Sequence, residues 1–236
     1  MSRYGSFILT SVLGIAVLCG LGVWQLQRLA WKEALIAEIA SRAAAPPITL
    51  AAALAADDAA DDIDFVRVAA SGTYLAAETK FIIGTFDAGP GWRVVTPLRS
   101  EDGIVVLVDR GVVSDAMRGS VPTPDGPVEL LGILRRHGED RGPFTPDNDD
   151  ARNIWYWWDV PAMLAMSDIP ADLKVAPFVL QLLPVAGDSS FPRPQPPDAN
   201  LRNNHLQYAL TWFGLALVLA AIATLYVRGQ MKKTGA

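Results

Sequence analysis

Apolar residues gather at the two ends of the chain, and polar residues interrupt them regularly only in the middle. Phe7 to Trp24 carries no charge, and neither does Tyr208 to Val227. At about 1.5 Å per helical residue these stretches reach roughly 27 and 30 Å, the hydrocarbon thickness of a bilayer. Both predict membrane-spanning helices. Past the first, Trp24, Arg28, Trp31 and Leu35 keep a helical stripe, and Lys32 to Ile39 holds the period until Pro46-Pro47 stops it. Ala51 to Asp62 reads as a short helix running into an acidic, solvated loop.

From Phe65 the period changes to that of strands. Phe65 to Ala70 alternates and leads into Gly72-Thr73-Tyr74, and Lys80 to Ile83 is a short strand followed by a turn at Asp87 to Gly91. Trp92 to Leu98 and Ile104 to Asp109 flank Glu101-Asp102-Gly103, which predicts a hairpin. Val128 to Leu134 and Phe178 to Leu183 are further strands. Between them, the aromatic run Asn153 to Asp159 precedes a short helix over Pro161 to Ser167. Gly187 to Pro197 holds four prolines and reads as a stiff tether back to the membrane. The expected fold is an α+β membrane protein: two transmembrane helices, N- and C-terminal, flanking an antiparallel β-rich barrel or sandwich domain with short helices. Its expected bounds are a cytoplasmic N-terminus at 1–6, a first span at 7–26, a periplasmic domain with entry helix at 27–200, an interfacial and transmembrane helix at 201–227, and a cytoplasmic C-terminus at 228–236.

Charge sharpens this picture. The 236 residues are 51% hydrophobic, and all 25 Asp and Glu lie between Glu33 and Asp198 with 13 of the 20 Lys and Arg, a balance of −12. An acidic middle with basic membrane edges argues against nucleic acid as a partner and suits a protein held against a bilayer. The apolar run after Arg3 exceeds the h-region of a signal peptide and lacks an A-x-A-like site, so it reads as an uncleaved anchor. Arg228, Lys232 and Lys233 after the second span outweigh Arg202 before it, which places both termini in the cytoplasm of a bacterial inner membrane. Cys19, the only cysteine, lies within the first span, so no intrachain disulfide and no cysteine metal cluster can form.

Candidate chemistry is sparse. His205, Tyr208 and Trp212 stand at i, i+3 and i+7 on one helical face, where a polar approach turns apolar. Two readings stand side by side. His205 is either an interfacial histidine among belt aromatics, or an axial ligand to heme iron whose second nitrogen is held by Asn204 or a backbone carbonyl. Trp24, Gln25 and Arg28 occupy the same depth on the first helix, as an aromatic anchor with a snorkelling arginine or as a facing wall of the same site. Asp109-Arg110-Gly111 reads as structural, His137 as a solvated histidine among Arg135, Arg136, Glu139, Asp140 and Arg141, and Trp155 to Trp158 as core and membrane-facing surface. Ala216, Ala220 and Thr224 form a small-residue stripe to pair with Ala16 and Gly20. Glycine-rich phosphate loops, G-x-S-x-G, H-E-x-x-H and a cysteine nucleophile are missing, which speaks against an enzyme.

Several blocks together resemble the surfeit-locus-one family (Surf-one in animals, Shy-one in yeast), nearly end to end. They are Gly22-Val23-Trp24-Gln25-Leu26-Gln27-Arg28 with Lys32, Gly72-Thr73-Tyr74, Val94-Val95-Thr96-Pro97-Leu98, and Val106-Leu107-Val108-Asp109-Arg110-Gly111. Gly142 to Asn148 leading to Trp155 and the block Leu201 to Trp212 complete them. The resemblance implies two spans around a large outer domain and a part in cytochrome c oxidase assembly. It also implies binding of heme a for delivery to, or retention in, oxidase subunit I, with His205 of the N-x-H-x-x-Y block as the iron ligand. Where the family follows Arg-Gly with an aromatic and a proline, this chain reads Val112-Val113-Ser114, so the family's surface there does not carry over.

The expected site is therefore His205 as axial ligand, with Tyr208 and Trp212 as one wall, Trp24 as the facing aromatic, and Arg28 and Arg202 as propionate partners. Oxidase subunit I and the lipid bilayer are the expected partners, and heme a synthase is a further candidate. The rival reading is a cofactor-free scaffold that steadies nascent subunit I.

Overall fold

In the computed structural model the described residues are 3–137, 141–185, 187, 190–195 and 203–234, with the backbone alone described at 3–4 and 232–234. Leu201 and Arg202, the domain boundary at 200, Glu139 and Asp140, and parts of the proline-rich segment lie outside them. The chain divides into two compact units, Met1–Glu38 with Ala199–Ala236, and Ile39–Asp198.

The first unit holds α4 (His205–Thr234) and most of α1 (Arg3–Ala44), whose residues from Ile39 onward belong to the second unit. Both are long and apolar enough to cross a membrane. Leu9, Leu13 and Val17 on α1, and Leu210, Leu217 and Leu225 on α4, turn outward. A helix in the core of a soluble protein would bury such residues; these suit a lipid surface. As the period implies, α1 persists to Ala44, just ahead of the prolines.

The second unit is a mixed β domain. Its elements are β1 (Ile48–Thr49), α2 (Leu50–Asp58), β2 (Arg67–Tyr74), β3 (Lys80–Phe86), β4 (Gly89–Ser100), β5 (Ile104–Ser114), β6 (Pro127–Arg135), α3 (Val160–Ala165) and β7 (Lys174–Leu182). Local chemistry accounts for several boundaries. Thr49 Oγ1 accepts from Ala52 N at 3.2 Å to cap α2, and Asp159 Oδ1 accepts from Ala162 N at 3.0 Å to cap α3. Ser100 and Ile104 bracket the expected hairpin, with Gly103 at φ +71°. The β3–β4 turn is tighter than the composition suggests. Asp87 and Ala88 alone make it, at φ +44° and +65°, and Gly89-Pro90-Gly91 already belongs to β4.

Pairing runs β1-β2-β6-β7-β5-β4-β3, and β2 also pairs with β4. That extra contact closes β2, β6, β7, β5 and β4 into a ring. Four of its five junctions are antiparallel, and β5–β7 is parallel. The expected antiparallel β-rich barrel is present with one parallel junction, because an odd ring cannot alternate throughout and closure forces one parallel neighbour. Along β5 every position from Ile104 to Val113 is buried. Val106 and Val108 enter the barrel core with Tyr74, Leu98 and Phe178, while Leu107 faces a second core of Ile82, Trp155, Met163 and Val179 beneath α3. Both faces are covered, so Ile104 to Val108 reads as an uninterrupted apolar run before Asp109-Arg110.

Three further expectations change. Residues 190–195 include more than a tether: Arg193 exchanges two backbone hydrogen bonds with Val112, at 2.8 and 2.9 Å. Within the stretch read as a helix running into a solvated acidic loop, Asp57 still belongs to α2, is mostly buried, and pairs with Arg136. His137 is half-buried and stacks flat on Trp158, centroids 4.0 Å apart and planes 6° apart. Burial first, then the Arg135 and Arg93 charges, lower its pKa to about 4, so it stays neutral.

Candidate functional site

Two apolar helices of this length need a matched seam, and the burial pattern defines one. On α1 the enclosed positions Ser11, Ile15, Leu18, Gly22, Gln25 and Leu29 are spaced four and three apart in turn; on α4, His205, Ala209, Trp212, Ala216, Leu219 and Ala223 do the same. This is the heptad spacing of a supercoiled pair. The pairing is antiparallel: the Phe7 ring lies 4.4 Å from that of Tyr226, Gly14 faces Leu219, Gly22 faces Phe213, and Gln25 faces His205. A Cβ on Gly22 would come 2.6 Å from the Phe213 ring, so glycine there is what admits the ring. Of the small-residue stripe read from the sequence, Ala216 lies in this seam and most of the rest falls beside it. Ala16, Gly20 and Thr224 are exposed, and a Cβ on Gly20 would meet nothing within 4 Å. A spacing of four, sustained, drifts off a face that repeats every 3.5 residues.

At the top of the seam, α4 starts at His205. Its N–H reaches Asn203 Oδ1 at 3.4 Å, and Tyr208 N donates to the Asn204 carbonyl at 3.1 Å. The imidazole turns toward α1, where its Nδ1 lies 2.7 Å from Gln25 Oε1. A carbonyl oxygen can only accept, so Nδ1 is the donor, and in the neutral ring this tautomer leaves the Nε2 lone pair available. Among the described residues Nε2 has no hydrogen-bond partner. Gln25 itself is 9% exposed, a neutral polar side chain inside an apolar seam.

The expected second-nitrogen partner, Asn204 or a backbone carbonyl, is therefore replaced by a glutamine 180 positions away. Its sequence signal was its phase, since Gln25 continues the seam positions Ser11, Leu18 and Gly22. Trp24 adjoins Gln25 and is 53% exposed, and Tyr208, one turn beyond His205, is 54% exposed. Trp212 is half-buried on the seam. Arg28 is exposed and holds its guanidinium 3.9 Å over the Trp31 ring; no contact joins it to His205. Arg202 lies outside the described residues.

In the β domain, Asp109 and Arg110 are occupied structurally. Asp109, 2% exposed, pairs with Arg93 and accepts from Gly111 N at 3.0 Å. Burial pushes its carboxyl up and the Arg93 charge pulls it back. Arg110 lies over the Tyr74 ring at 4.8 Å and donates to Thr123 Oγ1 at 2.8 Å and to the Pro122 carbonyl.

An antiparallel pair of outwardly apolar helices at the chain ends, a closed mixed β domain between them in sequence, and one imidazole–amide pair define an α+β protein of membrane type. Residues 12–217 match the SURF1 family, and the chain belongs to that family. It is 33% identical to Surfeit locus protein 1 of Mus musculus, over 91% of this chain and 72% of that protein. It is 32% identical to a SURF1-like protein of Monosiga brevicollis, over 94% and 88% respectively. A SURF1-like protein of Rickettsia bellii is 28% identical, over 93% of this chain and 90% of that one.

Proposed function

We propose that this chain serves cytochrome c oxidase assembly, the role its family membership implies, as an assembly factor rather than a catalyst. In this reading it binds heme a through His205 Nε2 and assists delivery of the heme to, or its retention in, oxidase subunit I. The observation that supports heme binding is the His205–Gln25 hydrogen bond, which puts the proton on Nδ1 and leaves a lone pair on the other nitrogen. Among the described residues no three His, Cys, Asp or Glu side chains gather as a cation site. A bare ion would find one imidazole, whereas iron already held by a porphyrin needs only that one protein ligand. Trp24, Tyr208 and Trp212 offer aromatic surface for a flat apolar ring, and Arg28 and Arg202 are the arginines assigned to its carboxylates. Heme a, when bound, supplies a redox-active iron centre; the chain's own part is to ligate, orient and shield it.

The same proposal keeps residues 1–6 and 228–236 in the cytoplasm of a bacterial inner membrane and residues 27–200 in the periplasm, following the basic residues around the second span. Heme a synthase is then the source of the cargo. The test is the absorption spectrum of the full chain, purified in detergent from cells that make heme a, beside that of His205→Ala. The expected result is a heme spectrum in the first and none in the second, with far-UV dichroism unchanged. A colourless wild-type protein that fully supports oxidase assembly would return the chain to a scaffold, and heme retained by His205→Ala would remove the ligand assignment.

A further inference from the structure

We infer that Gln25 is the positioning residue of this site, choosing the His205 tautomer that presents Nε2 and leaving the ring a ligand of moderate strength. The inference rests on the heme reading above and deepens it. An amide has two faces. With Oε1 toward the ring, as found at 2.7 Å, the imidazole proton sits on Nδ1 and Nε2 can ligate. With the NH2 group turned inward, it would donate to Nδ1, the ring proton would move to Nε2, and no lone pair would remain for a metal. The orientation of one neutral side chain thus decides whether the imidazole can bind iron.

A carboxylate at position 25 would also accept from Nδ1–H, as it does beside many metal-bound histidines. It would do two further things. It would draw the proton away from the ring, making the imidazole a stronger donor and favouring the oxidised iron. It would also carry a charge into a seam whose adjoining positions on the two helices are Gly22, Leu29 and Ala209, where an ion lacks solvation. Glutamine sets the tautomer and avoids both effects. A neutral, weaker ligand suits a protein that must hold its cargo and then release it. The contact also needs close helices, and the Phe213 ring seated against Gly22, one turn before Gln25, supplies that approach.

The experiment titrates heme a into the full chain in nanodiscs, comparing wild type, Gln25→Met, Gln25→Glu and His205→Ala. It records affinity, midpoint potential and the iron–imidazole stretch by resonance Raman. Methionine has nearly the length of glutamine without the acceptor, and should weaken heme retention about 10- to 100-fold. Glutamate keeps the acceptor, so it should bind within a few-fold of wild type while the midpoint potential falls and the stretch frequency rises. A merely structural role for Gln25 would leave potential and stretch unmoved in Gln25→Glu, and that result overturns the inference even where Gln25→Met fails to fold. If His205→Ala is colourless but both Gln25 variants match wild type, this inference fails alone. If His205→Ala keeps its heme, the parent reading fails with it.

Discussion

His137 should make the β domain lose stability as pH falls through a window set by one stacked ring. The imidazole lies flat on Trp158, with Arg135 and Arg93 disfavouring its protonation, and its pKa is about 4 against an ordinary 6.5. The unfolded chain therefore binds a proton that the folded chain refuses. Stability contributed by the neutral ring is fully present above pH 6.5 and is lost as pH falls toward 4. At 1.36 kcal/mol for each pH unit between folded and unfolded pKa, the loss approaches about 3 kcal/mol, of which roughly 2 should be gone by pH 5. Part of the ring meets water, so these figures are ceilings. Denaturant unfolding of the full chain in detergent, followed by tryptophan fluorescence, should show the decline in wild type. His137→Phe keeps the stack without titrating, and its curve should flatten relative to wild type over pH 7 to 4. Carboxylates titrate equally in both proteins and cancel in the difference. Parallel curves, or a histidine resonance titrating near 6.5, would refute the reasoning.

Other perturbations follow from contacts that leave little room. Gly22→Val places carbon atoms against the Phe213 ring, so it should lower stability by about 1–3 kcal/mol in detergent denaturation. Gly111→Ala meets a harder obstacle, because at φ +104° its Cβ would lie 2.0 Å from the backbone oxygen of Arg193. Thermal unfolding should report a loss above about 2 kcal/mol, and limited proteolysis should find residues 190–195 released. Arg93→Met leaves the buried Asp109 carboxylate unpaired and should cost about 3 kcal/mol, whereas adding Asp109→Leu should recover most of it, a non-additivity that a double-mutant cycle measures.

What could be read along the chain was whatever depends on near neighbours. Phe7 to Trp24 and Tyr208 to Val227 declare their helices by length and lack of charge, and Pro46-Pro47 marks where α1 must end. Asp102-Gly103 makes the β4–β5 hairpin, and the block around His205 carries the family. These features need only residues a few positions apart, and spacing reports them directly. Closure of the barrel, the phase of the helix seam, the stacking of His137 on Trp158 and the Gln25–His205 bond each join segments tens to hundreds of residues apart. Such contacts exist only once every face has found its partner, and a one-residue change of phase would send Gln25 outward. The sequence supplies an imidazole at an apolar boundary, but only folding presents it with an oxygen that frees its far nitrogen. Long-range packing makes that choice, because no local spacing records which of two amide faces will meet a ring.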